Sequence, residues 1–179
     1  MQVISLSSLL EVAEDENEII HYLSSFKCEK NKDVESFLHS LAIPNENRAF
    51  TRTSLVVDDD QESEIEIIGY FTLLIKPFEI TGEVSKESRR KLTGDKEAVV
   101  FNSILIAQLG RSDRYKGAIS GEVILGLALE NCELIFDLTG LRVCVEYDDI
   151  PYLNDFYIKN EFKILQINSN QKLLAFLRL

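Results

Sequence analysis

A glycine-bearing turn between two apolar segments is the part of this sequence whose residue types could do chemistry. The segment RYKGAISG follows a long apolar run at 98–109 and precedes an apolar stretch of helical length. Such a turn presents unpaired main-chain N–H groups at a helix start, where the helix dipole adds partial positive charge. Gly117 and Gly121 permit close approach of a ligand, and Lys116 adds a positive charge. This predicts pyrophosphate binding, although the spacing alone also fits an ordinary turn.

The apolar patterns around this turn predict the elements that position it. Residues 121–134 read as a mostly buried helix directly after the turn. Asp148 or Asp149 is the expected N-cap of a second helix. The strands predicted in this half have continuous or alternating apolar residues; they are 98–109, 141–147, 162–167 and 172–177.

The first half of the chain predicts a strand followed by two helical stretches. Gln2–Leu6 reads as a short strand, and Ser7 or Ser8 is the expected N-cap of the first helix. A further helix begins after Asn31–Asp33 and is expected to close at Pro44, which disfavours helix in the residue before it.

A hairpin is predicted next, from Thr51–Val57 and Ile65–Lys76, with an acidic turn at 58–64 whose charges oppose edge pairing. Pro77–Glu97 is polar and weakly periodic, so we expect a loop with at most one helical turn. The order of elements predicts an α/β, or mixed α+β, fold with one mixed sheet and helices on both faces. We expect a single domain over residues 1–179.

Composition limits the function classes. The chain has 179 residues, a net charge of −11 and no apolar run long enough to cross a bilayer. The acidity disfavours a nucleic-acid partner and favours a cationic one such as an amine. Alternatively, it simply keeps the protein soluble. Cys28, Cys132 and Cys144 lack metal-ligand spacing, so we expect neither a disulfide framework nor a metal, and a cytoplasmic location without a signal peptide.

The turn and its preceding strand resemble a known family. Ile106–Gly121, IAQLGRSDRYKGAISG, is similar without a gap to the segment IARLAVDPEYQGKGIG of the Gcn5-related N-acetyltransferases. The resemblance implies a mostly antiparallel sheet of six to seven strands with a splayed central pair that binds acetyl-coenzyme A. It implies main-chain contacts to the pantetheine arm from Leu109, Gly110 and Arg111. It implies contacts to the pyrophosphate from Lys116, Gly117, Ala118, Ser120 and Gly121. Ile119 replaces the family's middle glycine.

Further downstream, YLNDFYIKNEFKIL resembles the family pattern A-x-x-F-Y-x-x-x-G-F. The resemblance implies that Tyr157 is the general acid that protonates the coenzyme thiolate. The alternative is that Tyr157 is an aromatic residue of the core beside Phe156. The family's glycine is replaced by Glu161, which is expected to affect the bend into the next strand, and a coenzyme-binding asparagine falls at Ile150.

The expected reaction is transfer of an acetyl group from acetyl-coenzyme A to a primary amine. Glu146 is a candidate base if it faces the cleft, and otherwise a solvent-facing strand residue. Two segments, FKCEKNKDVESFLHSLA and GYFTLLIKP, resemble a bacterial and phage-associated subgroup related to toxin-like acetyltransferases. The alternatives are therefore acetylation of aminoacyl-tRNA, or a degenerate interaction module. The oligomeric state stays open, a homodimer included.

Overall fold

The structure, a computed structural model, describes residues 1–59 and 65–178. Its strands are β1 Gln2–Ser5, β2 Arg52–Asp58, β3 Glu66–Glu79, β4 Val100–Arg111, β5 Arg142–Tyr147, β6 Lys163–Ile167 and β7 Leu173–Leu177. Its α-helices are α1 Leu6–Val12, α2 Glu16–Ser24, α3 Lys32–Ser40, α4 Ala42–Asn47, α5 Lys86–Thr93, α6 Gly121–Thr139 and α7 Pro151–Lys159. Most of the acidic turn predicted at 58–64 lies outside the described residues.

The strands form one seven-stranded sheet in the order β1-β2-β3-β4-β5-β7-β6. The β1–β2, β2–β3, β5–β7 and β6–β7 pairs are antiparallel, whereas β4 and β5 are parallel. The parallel register runs from Ser103–Arg142 to Ile106–Val145, and β4 continues beyond it to Arg111. The mostly antiparallel mixed sheet predicted from the sequence is confirmed.

The described chain divides into two compact units. Unit 1 comprises 1–74 and 107–129, and unit 2 comprises 75–106 and 130–179. The core of unit 1 is formed by apolar residues of its helices and strands, among them Leu6, Leu23, Phe26, Leu38, Leu55 and Tyr70. Buried residues of β5 and β7 form much of the core of unit 2, among them Val143, Cys144, Val145, Leu174 and Ala175.

Two helix ends in unit 1 differ from the prediction. The N-cap of α1 is Ser5, whose hydroxyl accepts from Ser8 N at 3.2 Å, so the expected caps Ser7 and Ser8 lie inside the helix. The helix therefore starts at Leu6, earlier than predicted, and Leu6 is its buried residue. Pro44 does not end a helix but lies in the first turn of α4, where a missing N–H breaks no intrahelical bond.

The segment predicted as a loop at Pro77–Glu97 contains the end of β3 and the two-turn helix α5. Ser85 caps this helix by accepting from Ser88 N at 3.1 Å, and Gly94 closes it with φ 83°. No residue of α5 is buried, so the sequence carries no apolar periodicity there. The Arg89 guanidinium, a residue of α5, instead donates to the carbonyls of Thr81, Val84 and Ala98 at 2.8, 3.0 and 2.7 Å.

The N-terminus of α7 also differs from the prediction. Its N-cap is Ile150, which makes no side-chain capping bond, so neither Asp148 nor Asp149 is the cap. Pro151 occupies the start of the helix, where its fixed φ suits the first turn. Asp149 accepts instead from the side chain of Asn154 at 2.7 Å.

Candidate coenzyme site and proton-transfer groups

The connection from β4 to α6 is a tight turn within unit 1. Ser112 N donates to Ile68 O at 2.8 Å and ends the strand, and a 3₁₀ turn at Asp113–Tyr115 follows. Gly117 then adopts φ 87°, a left-handed conformation that glycine reaches without a steric cost. The glycine predicted to shape this loop therefore does so.

The main-chain N–H groups of this loop fall into two sets. Those of Lys116, Ala118 and Ile119 donate to carbonyls of the preceding turn at 3.0–3.1 Å. Within residues 1–59 and 65–178, those of Gly117, Ser120 and Gly121 donate no hydrogen bond. Three donors at the start of a 19-residue helix remain for an anion. The N–H groups of Ala118 and Lys116 already have acceptors within the protein, whereas the Lys116 side chain is exposed.

Arg111 braces the loop from the end of β4. Its Nη1 donates to Ile119 O at 2.9 Å, while its Nε is buried without a partner among the described residues. The isoleucine that replaces the family's glycine thus has both its N–H and its carbonyl engaged, which fixes its backbone. The contact to pantetheine expected of Arg111 is a main-chain contact, which this side-chain bond does not engage.

Gly110 is required by packing. A Cβ added at Gly110 would lie 2.5 Å from Val34 Cγ1 and 2.9 Å from Tyr70 Cε1. A Cβ added at Gly69 would lie 2.6 Å from the Gly110 carbonyl oxygen. From the sequence, Gly110 was expected only to contact the coenzyme. Its packing role could not be foreseen, because the neighbours that require it belong to α3 and β3, which are distant in the chain. The neighbouring Leu109 is half-buried on β4.

Tyr157 lies on α7 among aromatic rings of unit 2. Its ring centroid is 4.6 Å from that of Tyr147, 5.1 Å from Phe156 and 5.5 Å from Phe162. The residue is 8% exposed, and burial raises the pKa of its phenol, to which Tyr147 and Tyr152 add. The group is therefore neutral throughout the physiological pH range and able to donate a proton.

The turn after α7 holds the main chain of Tyr157. Phe162 N donates to Tyr157 O at 3.0 Å and Glu161 N donates to Ile158 O at 3.0 Å, the two bonds of a Schellman motif. Glu161 has φ 67°, so it adopts the left-handed conformation that glycine reaches most easily. The expectation that Glu161 affects this bend stays a prediction; what the structure shows is that these two hydrogen bonds hold Glu161 at a positive φ.

Glu146 is bound on both carboxylate oxygens. Oε2 lies 3.1 Å from Lys76 Nζ, and Oε1 accepts from Asn168 at 2.6 Å and Asn170 at 3.1 Å. Burial by itself raises the pKa of this carboxyl, but the hydrogen bonds from Asn168, Lys76 and Asn170 outweigh it and lower the pKa. A carboxylate held in this way is a weak proton acceptor, so its environment disfavours the predicted role as base.

A cavity of about 640 Å³ lies within unit 1 beside the same turn. Its apolar walls include Ile4, Leu9, Tyr22, Ile65 and Ile67. Carboxylates of Glu18 and Glu66 and cations of Lys27 and Arg114 also line it, and Arg114 is paired with Glu66. Because both signs are present, this cavity does not by itself select the cationic acceptor expected from the net charge.

Residues 1–59 and 65–178 contain no group of three or more histidine, cysteine or acidic side chains that could hold a metal ion. None of the helices in these ranges is both long and apolar enough to cross a membrane.

Among known proteins, only the comparison with solved structures gives matches to this chain. No protein-family model and no curated protein matches the chain. Among solved structures, AtaT complexed with acetyl-methionyl-tRNAfMet matches with a TM-score of 0.72 at 19% identity, covering 98% of this chain and 93% of the other. A Tyr→Phe mutant of KacT matches with a TM-score of 0.70 at 17% identity, covering 98% and 94%. The chain has the Gcn5-related N-acetyltransferase fold.

A third match to the acetyltransferase fold was solved with a coenzyme. The Tyr→Phe mutant of the AtaT toxin, bound to the C-terminus of the antitoxin AtaR and acetyl-CoA, has a TM-score of 0.69 at 15% identity, covering 98% of this chain and 92% of the other. AtaT has also been solved with a tRNA. The expectation that nucleic acid is disfavoured as a partner therefore has no support among these structures.

Proposed function

We propose that this protein transfers an acetyl group from acetyl-coenzyme A to a primary amine. The observation that carries the proposal is the set of three unpaired N–H groups, Gly117, Ser120 and Gly121, where the chain enters α6. They suit the pyrophosphate of the coenzyme, with the exposed Lys116 ammonium adding charge. The solved structure of AtaT with acetyl-CoA, which shares this fold, supports the same choice of coenzyme.

The pantetheine arm is assigned to the end of β4, at Leu109, Gly110 and Arg111. The parallel register with β5 ends at Ile106, so it does not include these residues. In the reaction, the neutral amine nitrogen attacks the thioester carbonyl, a C–N bond forms and the C–S bond breaks. A main-chain N–H near Leu109–Gly110 polarises the carbonyl oxygen.

Tyr157 supplies the proton that the departing thiolate takes up, giving free coenzyme A. The proton lost by the nitrogen passes to solvent and restores the phenol, so the sum is amine plus thioester to amide plus thiol. Burial keeps this phenol protonated at neutral pH, so the proton is present when the thiolate forms. Glu146 is a poor candidate for the base, since the hydrogen bonds from its three donors lower its pKa and weaken it as a proton acceptor.

We expect Tyr157→Phe to lower kcat by about 100-fold or more while acetyl-coenzyme A still binds, because the variant loses a proton donor and keeps the ring. Steady-state kinetics and calorimetric titration measure the two effects separately. Because the pKa of this phenol is raised above its ordinary value of about 10, the wild-type rate should show no alkaline limb from Tyr157 below that pH. Equal rates for both proteins would remove Tyr157 from the mechanism.

A second acceptor is favoured by one comparison. AtaT, which shares the fold, was solved with acetyl-methionyl-tRNAfMet, so the amino group of an aminoacyl-tRNA is the alternative to a small-molecule or protein amine. The net charge of −11 opposes extensive contact with RNA. Radiolabelled acetyl-coenzyme A offered with aminoacyl-tRNA, polyamines and lysine peptides in parallel separates these acceptors. Coenzyme binding without transfer to any of them would favour the degenerate interaction module.

A further inference from the structure

Tyr147 carries a polar group that nothing in the described chain satisfies. It is the last residue of β5, where its main chain pairs with Leu173 of β7. The residue is 5% exposed, and its hydroxyl is buried without a hydrogen-bond partner among residues 1–59 and 65–178. Sequence reasoning treated it only as the end of an alternating strand.

A buried hydroxyl without a partner lowers stability, because it gives up its hydrogen bonds to water and gains none in the protein. A phenylalanine would fill the same space without that loss. Buried polar atoms of native proteins are nearly always paired, so an exception needs an explanation such as a ligand. The Tyr147 hydroxyl therefore points to a group that is bound during function.

The position of Tyr147 indicates which group this is. Its ring centroid lies 4.6 Å from that of Tyr157, with 35° between the ring planes. Tyr147 also lies beyond Val145, the last β5 residue in register with β4. The two tyrosine rings are in contact, so the group that binds nearest to Tyr157 is the first candidate for this ligand. In the proposed reaction that group is the thioester end of the coenzyme.

We propose that the Tyr147 hydroxyl donates a hydrogen bond to the thioester end of bound acetyl-coenzyme A, beside Tyr157. This inference rests on the proposed function. The two phenols divide the work: Tyr157 transfers a proton to the sulfur, whereas Tyr147 keeps its proton and only donates a hydrogen bond. No bond forms or breaks at Tyr147, and its acceptor is the sulfur or carbonyl oxygen of the thioester.

The test is Tyr147→Phe, examined by denaturant unfolding without ligand and by calorimetric titration with acetyl-coenzyme A. We expect the free energy of unfolding to stay the same or rise, because an unpaired buried hydroxyl is removed. We expect the Kd for acetyl-coenzyme A to rise about tenfold, which corresponds to about 1.4 kcal/mol. Tyr152→Phe is the matched control, since Tyr152 is 55% exposed on α7 and should change neither quantity.

Three outcomes would overturn the inference. If Tyr147→Phe binds acetyl-coenzyme A as tightly as wild type, the hydroxyl does not contact the coenzyme, and the proposed function survives. If the variant is less stable without ligand, the hydroxyl has a partner in the protein. If wild-type protein does not bind acetyl-coenzyme A at all, the proposed function fails together with this contact, a result distinct from the first.

Discussion

At the scale of single residues, Glu146 and Tyr157 show how their surroundings set ionisation. Glu146 is a carboxylate whose side chain is 12% exposed and which receives hydrogen bonds from one ammonium and two amides. Tyr157 is a phenol enclosed by aromatic rings, and burial raises its pKa. The surroundings of Glu146 thus favour the charged form and a structural role. Those of Tyr157 keep the phenol neutral, as a proton donor must be.

Glu146→Gln is expected to lower the free energy of unfolding by about 1–3 kcal/mol at pH 7, because charged hydrogen bonds to Lys76 and Asn168 are weakened. The pKa of Glu146 is lowered in the folded state, so its stabilisation is complete above the unfolded pKa of about 4.3. It is lost as pH falls through the folded pKa. Urea unfolding of both proteins from pH 7 to pH 3 measures this difference.

The matched control for that experiment is Glu130→Gln, because Glu130 is an exposed residue of α6. We expect its effect to stay within about 0.5 kcal/mol at every pH. A loss in Glu146→Gln that persists unchanged at pH 3 would show that the charge of Glu146 is not what stabilises the fold.

Glu161→Gly is expected to stabilise the protein by about 1 kcal/mol, because Glu161 has φ 67° and a left-handed backbone is costly for a residue with a Cβ. For a chain of this length, that is a rise in Tm of about 2–4 °C in calorimetry. Glu130→Gly provides the opposite control, since glycine in a helix interior should lower Tm. A fall in Tm for Glu161→Gly would mean that its side chain contributes more than its backbone costs.

The family resemblance singled out Glu161 as a departure at a bend, but the positive φ found there could not be predicted. A glutamate gives no sign of a positive φ, whereas the two Schellman bonds that impose it become visible only in the folded chain. The phenol of Tyr157 was predictable from the same pattern. Tyr147 was not, because an unpaired hydroxyl is a property of packing.

At the scale of elements, the connection from β4 to α6 is central because it presents the three unpaired N–H groups. Gly117→Ala introduces a side chain at φ 87°, although a Cβ there would meet no atom within 4 Å. We expect a destabilisation of about 1–2 kcal/mol from the backbone alone. We also expect a five- to tenfold rise in Kd for acetyl-coenzyme A, roughly the loss of one hydrogen bond.

Gly94→Ala is the matched control for this change. Gly94 has φ 83° and equally open surroundings, but it ends α5 in unit 2. It should lose similar stability and keep its coenzyme affinity, as measured by thermal unfolding and calorimetric titration. Equal affinity losses in the two variants would show that the Gly117 loop has no particular role in binding.

Strands and helices were predictable where their buried apolar residues recur at regular spacing. They were missed where no such spacing exists. The strands and α6 were found because their apolar residues continue or alternate. Helix α5 was missed because its order comes from Ser85, Gly94 and the guanidinium of Arg89, with no buried residue of its own. Five residues of the loop were predicted to contact the pyrophosphate. The sequence could not show that the N–H of one of them, Ala118, already donates a hydrogen bond within the protein.

At the scale of the whole molecule, the net charge bears on how the proposed coenzyme can be held. The fold is shared with AtaT, which was solved with acetyl-CoA and with a tRNA. The net charge of −11 repels polyanions, so an anionic coenzyme has to be held by local groups such as the loop's N–H groups and Lys116. Coenzyme binding is accordingly the property on which every other assignment depends.

Calorimetric titration of the purified wild-type protein with acetyl-coenzyme A tests this most directly. We expect saturable binding to one site per chain, with a Kd of about 1 μM to 1 mM, the range in which enzyme KM values usually lie. Absence of binding at millimolar acetyl-coenzyme A, in protein shown to be folded by circular dichroism, would contradict it.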